Sequence, residues 1–210
     1  MKNLCKTVSS ECKKIPILEE FYSIQGEGFN TGKAAYFVRV GGCDLACRWC
    51  DSKESWYPEI HHFIEIQSII DRVLQTPANT IVVTGGEPLT YNFDDFCELA
   101  KSNNFTLMLE TSGAYPFSGN WDWICLSPKK QMQPINDYYN KCNELKVVIY
   151  EDSDLIWAEE CAKRVNNTVE LYLQPEWSRF ETTKEMVVNY VKKNPKWKIS
   201  IQVHKFLNIP

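Results

Sequence analysis

The recurrence of short, nearly continuous apolar runs constrains this chain's fold more than any other feature. They read AAYFVRV (34–40), TIVVT (80–84), FTLMLE (105–110), WICLS (123–127), LKVVIY (145–150), VELYLQ (169–174) and KISIQV (198–203). Runs of this length without polar alternation suit strands covered on both faces, as in parallel sheets. Helical patterns lie between several of them. Residues 63–74 place Ile66, Ile69, Ile70 and Val73 on one face, and 93–101 and 155–165 are shorter amphipathic stretches. Residues 183–193 follow a Thr183 cap and align Met186, Val187, Tyr190 and Val191. Alternating strand and helix predicts an α/β fold, a parallel sheet with helices outside. A complete eightfold barrel usually takes about 250 residues. This chain has 210, and the segments after Glu110 and Ser127 lack clear helices. The expectation is one domain over 1–210 forming an incomplete, TIM-like open barrel, with a short N-terminal extension over about residues 1–16.

Such sheets gather ligands where strands end. That places chemistry at 41–51, 85–88, 111–113, 127–129 and 174–175. The formal net charge of -4, with no dominant basic block, argues against a nucleic-acid partner. The basic run 192–198 reads as a solvated helix end. The first residues carry no apolar signal region, and no apolar run is long enough to span a membrane. A soluble, cytoplasmic protein is expected. Cys5, Cys12, Cys97, Cys125, Cys142 and Cys161 are scattered singly and read as buried small hydrophobes or surface thiols.

The remaining cysteines do not scatter. In GGCDLACRWCD (41–51), Cys43, Cys47 and Cys50 stand as C-x3-C-x2-C. The spacing i, i+4, i+7 could place them on one helix face, but the preceding glycine pair and the interleaved Asp44, Arg48 and Asp51 favour a loop. Zinc would want four protein ligands and could recruit His61 or His62, although the spacing matches no usual finger. An iron–sulfur cube with three thiolates would leave one iron without a protein ligand, an open position that suits catalysis better than electron carriage.

The triad in a loop after an early strand, with Trp49 before its last cysteine, resembles the radical S-adenosylmethionine superfamily. The resemblance implies a [4Fe-4S] cluster whose open iron takes the methionine moiety of S-adenosylmethionine, and a radical that removes a hydrogen atom from the substrate. TGGEPL (84–89) resembles the motif that meets the methionine amino group: Gly85 and Gly86 allow close backbone approach, and the Glu87 carboxylate can accept from an ammonium. ETSG (110–113), LSPK (126–129) and LQP (173–175) resemble further cofactor loops. They imply S-adenosylmethionine contacts from Ser112, Ser127, Pro128, Lys129, Gln174 and Pro175, beside Trp49 and Asp51. Relatives commonly have Asn in place of Ser112. As plain sequence, Ser-Pro and Gln-Pro are turn formers.

FYSIQGEG (21–28) and the closing VHKFLNIP are similar to the 7-carboxy-7-deazaguanine synthases, and the likeness runs nearly end to end. It implies a carbon–nitrogen lyase that contracts 6-carboxy-5,6,7,8-tetrahydropterin to 7-carboxy-7-deazaguanine with release of ammonia, in queuosine and 7-deazapurine biosynthesis. Substrate would meet Ile24, Gln25 and Gly26, the pterin edges Glu27, and the ring Thr84. Arg39 would pair with the substrate carboxylate, a task suited to a guanidinium fork. The Pro210 carboxylate would reach the substrate, and His204 would add a weaker contact. A Mg²⁺ ion is implied on the Ser52 hydroxyl, where relatives have Thr. A flavodoxin- or ferredoxin-type electron donor and a homodimer are implied as well. The alternatives are an activase that makes a glycyl radical on a partner protein, which leaves QGEG unexplained, and a zinc-stabilised binding module.

Overall fold

The computed structural model describes residues 14–210, so Cys5, Cys12 and most of the expected N-terminal extension lie outside the described residues. Residues 14–16 are already sheet. They open β1 (Lys14–Ile24), which pairs antiparallel with β2 (Ala34–Val40) and with β3 (His62–Glu65). From β2 onward every pairing is parallel, through β4 (Thr80–Gly85), β5 (Thr106–Thr111), β6 (Trp123–Leu126), β7 (Glu144–Ile149), β8 (Glu170–Pro175) and β9 (Lys198–Ile199). The order is β3-β1-β2-β4-β5-β6-β7-β8-β9, with β3 and β9 at the edges among the described residues. The expected open, mostly parallel α/β sheet is present.

Helices α1 (Ile66–Val73), α2 (Asp94–Ser102), α3 (Asp137–Lys141), α4 (Asp152–Ala162) and α5 (Phe180–Lys193) pack on one face of this sheet. Successive strand residues point to opposite faces. Ile81, Val83, Leu107, Leu109, Leu145, Val147 and Ile149 therefore join Ile69, Ile70, Phe93, Phe96 and Val187 in the main core. Burying each such side chain contributes about 1.5–3 kcal/mol. The other face holds a smaller apolar cluster of Ala35, Phe37, Val82 and Met108. Further along that face come the charged side chains Glu144 and Lys146. No helix among the described residues is long and apolar enough to cross a membrane.

Several sequence expectations need correction. β1 was not expected as a strand, because its Pro16 and adjacent glutamates break the apolar pattern; pairing with two neighbours and a register shift near Ile17 accommodate them. The helix expected over 63–74 begins only at Ile66, since residues 62–65 pair with β1. The helix expected from Leu155 begins at Asp152: Glu151 and Asp154 form a reciprocal capping box, with Glu151 N donating to Asp154 Oδ2 at 2.9 Å. Thr183 caps nothing. α5 starts at Phe180, continuing a 3-10 turn at Trp177–Arg179, and the Thr183 hydroxyl donates to the Arg179 carbonyl at 3.0 Å inside the helix. The strand expected over 198–203 stops after two residues, and the chain turns into α6 (Val203–Leu207) beside the mouth of the sheet.

Candidate active site

The five ligand-bearing segments expected at strand ends lie at the ends of β2, β4, β5, β6 and β8, and they converge on one cavity of about 260 Å³. Cys43, Cys47 and Cys50 all line it. Their segment is a loop, which removes the helix-face reading. Backbone bonds hold it: Gly42 N donates to the Ser55 carbonyl at 2.6 Å, Cys43 N to Trp56 at 3.3 Å and Cys50 N to Cys47 at 3.0 Å. The Gln131 amide donates to the Leu45 carbonyl at 3.1 Å and contacts Cys47 Sγ at 3.0 Å. Burial pushes the Cys43 thiol up to about 11 and raises Cys47 as well. Bare, these two sulfurs keep their protons, and a cation must displace them to bind.

Three thiols on one wall suit a cube that leaves one iron open. Neither His61 nor His62 lines that cavity. The His61 ring packs on Gly41, with Nε2 2.9 Å from the Glu54 carbonyl. Among the described residues, no three His, Cys, Asp or Glu side chains gather as a single-ion site requires.

Gly85 and Gly86 line the cavity and also meet the loop that carries the first glycine pair. They let two loops approach each other. Gly86 N donates to the Val40 carbonyl and Glu87 N to the Gly42 carbonyl, both at 2.9 Å. A Cβ on Gly86 would meet Gly42 O at 2.3 Å, and one on Gly85, at φ +133°, would meet Val40 N and O at 2.3 Å. The 85–88 segment is thereby zipped to the cysteine loop.

Glu87 is 1% exposed and already well supplied with donors. Thr111 Oγ1 donates at 2.6 Å, Ser112 N at 2.7 Å and Leu89 N at 3.2 Å, and the Ser112 hydroxyl donates too. The Ser112 hydroxyl thus holds the carboxylate, and Ser112 also lines the cavity. Glu87→Ala would strand these buried donors. It should lower unfolding stability by at least about 2 kcal/mol, and an unchanged denaturation midpoint would remove the cradle from the stability of this region.

The floor of the cavity is ionic. Lys146 Nζ lies 2.6 Å from Glu27 Oε2 and 2.9 Å from Glu110 Oε2, with its side chain 5% exposed. Gln202 Nε2 donates to Glu27 Oε1 at 2.8 Å and to Asp51 Oδ2 at 3.2 Å, and Lys205 Nζ pairs with the same Asp51 oxygen at 2.8 Å. Burial alone would push the Glu27 carboxyl up; the charge and hydrogen bond of Lys146, with help from Gln202, bring it down to about 2. Burial pushes Glu144 up to about 7, against the pull of Lys146.

The remaining expected residues mostly fall on the same cavity. Trp49, Asp51, Ser52, Ser127, Lys129 and Gln174 line it, as do Ile24, Gln25, Gly26, Arg39, Thr84, His204 and Pro210. Lys129 Nζ donates to the Ser127 carbonyl at 2.6 Å and sits 5.4 Å from the Trp49 ring centre; burial lowers its pKa. Arg39 and Thr84 are register partners on neighbouring strands, and Arg39 Nε pairs with Glu19 at 2.6 Å. The Ser52 hydroxyl makes no cap bond to the turn that follows it. Pro128 and Pro175 are buried but do not line the cavity. Pro175 ends β8, paired with Ile149, and Pro128 follows β6 by two residues. Sequence reasoning missed Glu110, Lys146 and Gln202. For Lys146 a signal existed, since ELKVVI sets two charges two apart in an apolar run, and such residues share a face.

A family model described as a 4Fe-4S single cluster domain matches residues 24–132. A Flavobacterium psychrophilum protein named 7-carboxy-7-deazaguanine synthase is 51% identical over 196 residues, covering 93% of this chain and 93% of that protein. A protein of the same name from Synechocystis sp. is 41% identical over 194 residues, covering 92% and 93%. The crystal structure of QueE from Escherichia coli aligns with a TM-score of 0.81 at 24% identity, covering 93% of this chain and all of that one.

Proposed function

The chain belongs to the 7-carboxy-7-deazaguanine synthases, radical S-adenosylmethionine enzymes with an iron–sulfur cluster, and on that premise we propose the reaction it runs and the residues that run it. The reaction is ring contraction of 6-carboxy-5,6,7,8-tetrahydropterin to 7-carboxy-7-deazaguanine with release of ammonia. The observation that carries it is the single cavity shared by Cys43, Cys47 and Cys50, the 85–87 and 127–129 segments, and the 24–27 segment.

When bound, the cluster and S-adenosylmethionine supply hydrogen-atom abstraction. Cys43, Cys47 and Cys50 would hold the cluster, and with no fourth thiol on the wall among the described residues S-adenosylmethionine could bind beside it. Gly85 and Gly86 present backbone to S-adenosylmethionine, and Glu87, fixed by Thr111 and Ser112, offers its remaining lone pairs to the ammonium. Trp49, Asp51, Ser127, Lys129 and Gln174 complete that side. Ile24, Gln25, Gly26, Glu27, Thr84, His204 and Pro210 face the pterin. Glu19 orients Arg39 by its Nε and leaves the terminal guanidinium nitrogens for the substrate carboxylate. The Ser52 hydroxyl, which makes no cap bond to the following turn, would take Mg²⁺. A flavodoxin- or ferredoxin-type protein delivers the electron, and the enzyme acts as a cytoplasmic homodimer.

Anaerobic product analysis tests the reading. The reconstituted chain, given the carboxylated tetrahydropterin, S-adenosylmethionine and a reductant, should form the deazaguanine acid and ammonia. Cofactor cleavage with no ring contraction would overturn it and favour an activase. Arg39→Ala should raise KM for the pterin by roughly 10–100-fold, the worth of a charge-assisted contact, with iron content unchanged. An unaltered KM would remove Arg39 from the substrate site.

A further inference from the structure

Lys146 has no assigned part in the reaction, yet it is placed at some cost. A buried ammonium loses its hydration, and an apolar side chain would satisfy a purely structural role on the inner face of β7. The residue is 4% exposed and lines the cavity, and it bridges two carboxylates from separate parts of the fold. Glu27 lies in the loop after β1 and Glu110 near the end of β5; Gln25, in that same loop, reaches Glu110 at 3.4 Å. We propose that Lys146 is a positioning residue for the substrate, holding Glu27 and Glu110 side by side as acceptors for the N–H edge of the pterin ring. This rests on the substrate class proposed above and deepens it. The pyrimidine half of a pterin carries a ring N–H beside an exocyclic amine, a donor pair that a carboxylate accepts in parallel. Each carboxylate gives one oxygen to Lys146 and keeps lone pairs free for that edge. Rings without the amine would lose this contact.

The charge setting supports the arrangement. Lys146, Gln202 and His204 face Glu27 directly, Asp51 faces it from the cysteine loop, and Glu110 and Glu144 share its counter-charge. With Lys146 in place, Glu27 stays ionised across the working pH range. Without it, only Gln202 and His204 oppose burial, and the carboxyl moves up.

The test uses the holoenzyme and the reaction product, which retains the amine and ring N–H, with affinity read by calorimetry. Lys146→Gln should weaken product binding by at least about thirtyfold. It should also add a steeper loss of affinity on acidification from about pH 8 to about pH 5 than the unsubstituted chain shows, because a raised Glu27 carboxyl loses its acceptor charge there. Lys146→Arg, which keeps the charge, should recover most of the affinity. In Glu27→Gln/Lys146→Gln the two losses should not add, since Lys146 acts through Glu27. Product affinity within threefold of the unsubstituted chain, with the same pH profile, overturns the inference. If Lys146→Gln does not fold, Glu27→Gln carries the test: it must lose product affinity by a similar factor, and unchanged affinity overturns the inference. An unsubstituted chain that fails to bind product overturns the assigned substrate, and the inference with it.

Discussion

Cys47→Ala should yield a folded chain that retains no intact four-iron cluster and makes no 7-carboxy-7-deazaguanine. Cys43, Cys47 and Cys50 are the thiols on the cavity wall, and a three-thiolate site has no spare protein ligand to compensate for the loss of one. The loop itself should survive. Its backbone bonds run through Gly42, Cys43 and Cys50, and the Gln131 amide still reaches the Leu45 carbonyl at 3.1 Å. Thermal unfolding of the variant without iron should therefore match that of the unsubstituted chain without iron. Iron and sulfide content after anaerobic reconstitution, the charge-transfer absorption and cofactor cleavage provide the measurement. A full complement of about four irons with retained S-adenosylmethionine cleavage would remove Cys47 from the cluster.

Gly85→Ala should be the most destabilising single methyl addition in the site. At φ +133° an L side chain is strained wherever it sits, and here the new Cβ would lie 2.3 Å from Val40 N and O. Those are backbone atoms of the neighbouring parallel strand, which cannot swing aside as a side chain can. Strain and clash together should cost at least about 3 kcal/mol. For a domain of this size that corresponds to a fall in Tm of roughly 6–12 °C. Gly32→Ala is the control: its φ is +91°, but nothing lies within 4 Å of the added carbon. It should lose about 1 kcal/mol from backbone strain alone. Equal losses in the two variants would show that the loop-to-loop approach does not constrain Gly85.

The parallel half of the sheet was legible because its strands are locally complete signals. TIVVT and FTLMLE are apolar whichever face is considered, and each recurs before a turn. The antiparallel edge was not legible. β1 mixes Pro16, Glu19 and Glu20 into its pattern, and its strand state comes from pairing with β2 and β3 at sequence distances no local window spans. The same holds for α5. Its start is set by the preceding 3-10 turn and by Glu176, whose carboxylate accepts from Ser178 N and Arg179 N. Thr183, the better cap by residue type, ends up buried inside the helix.

The sequence alone determined the chemistry and where it would lie. C-x3-C-x2-C after one strand and GGEP after the next are short-range patterns, and parallel strands necessarily bring their ends to one rim. Only the tertiary structure decided the purposes of individual residues. Gly85 and Gly86 also serve one loop's approach to another, and Ser112 also holds Glu87. Lys146, hidden in an apolar run, proved to join Glu27, 119 residues away, to Glu110, 36 residues away. The physical reason is that a spacing motif reports which donors a segment can offer. Which acceptor each donor meets depends on the register and burial of distant strands, and those exist only in the folded sheet.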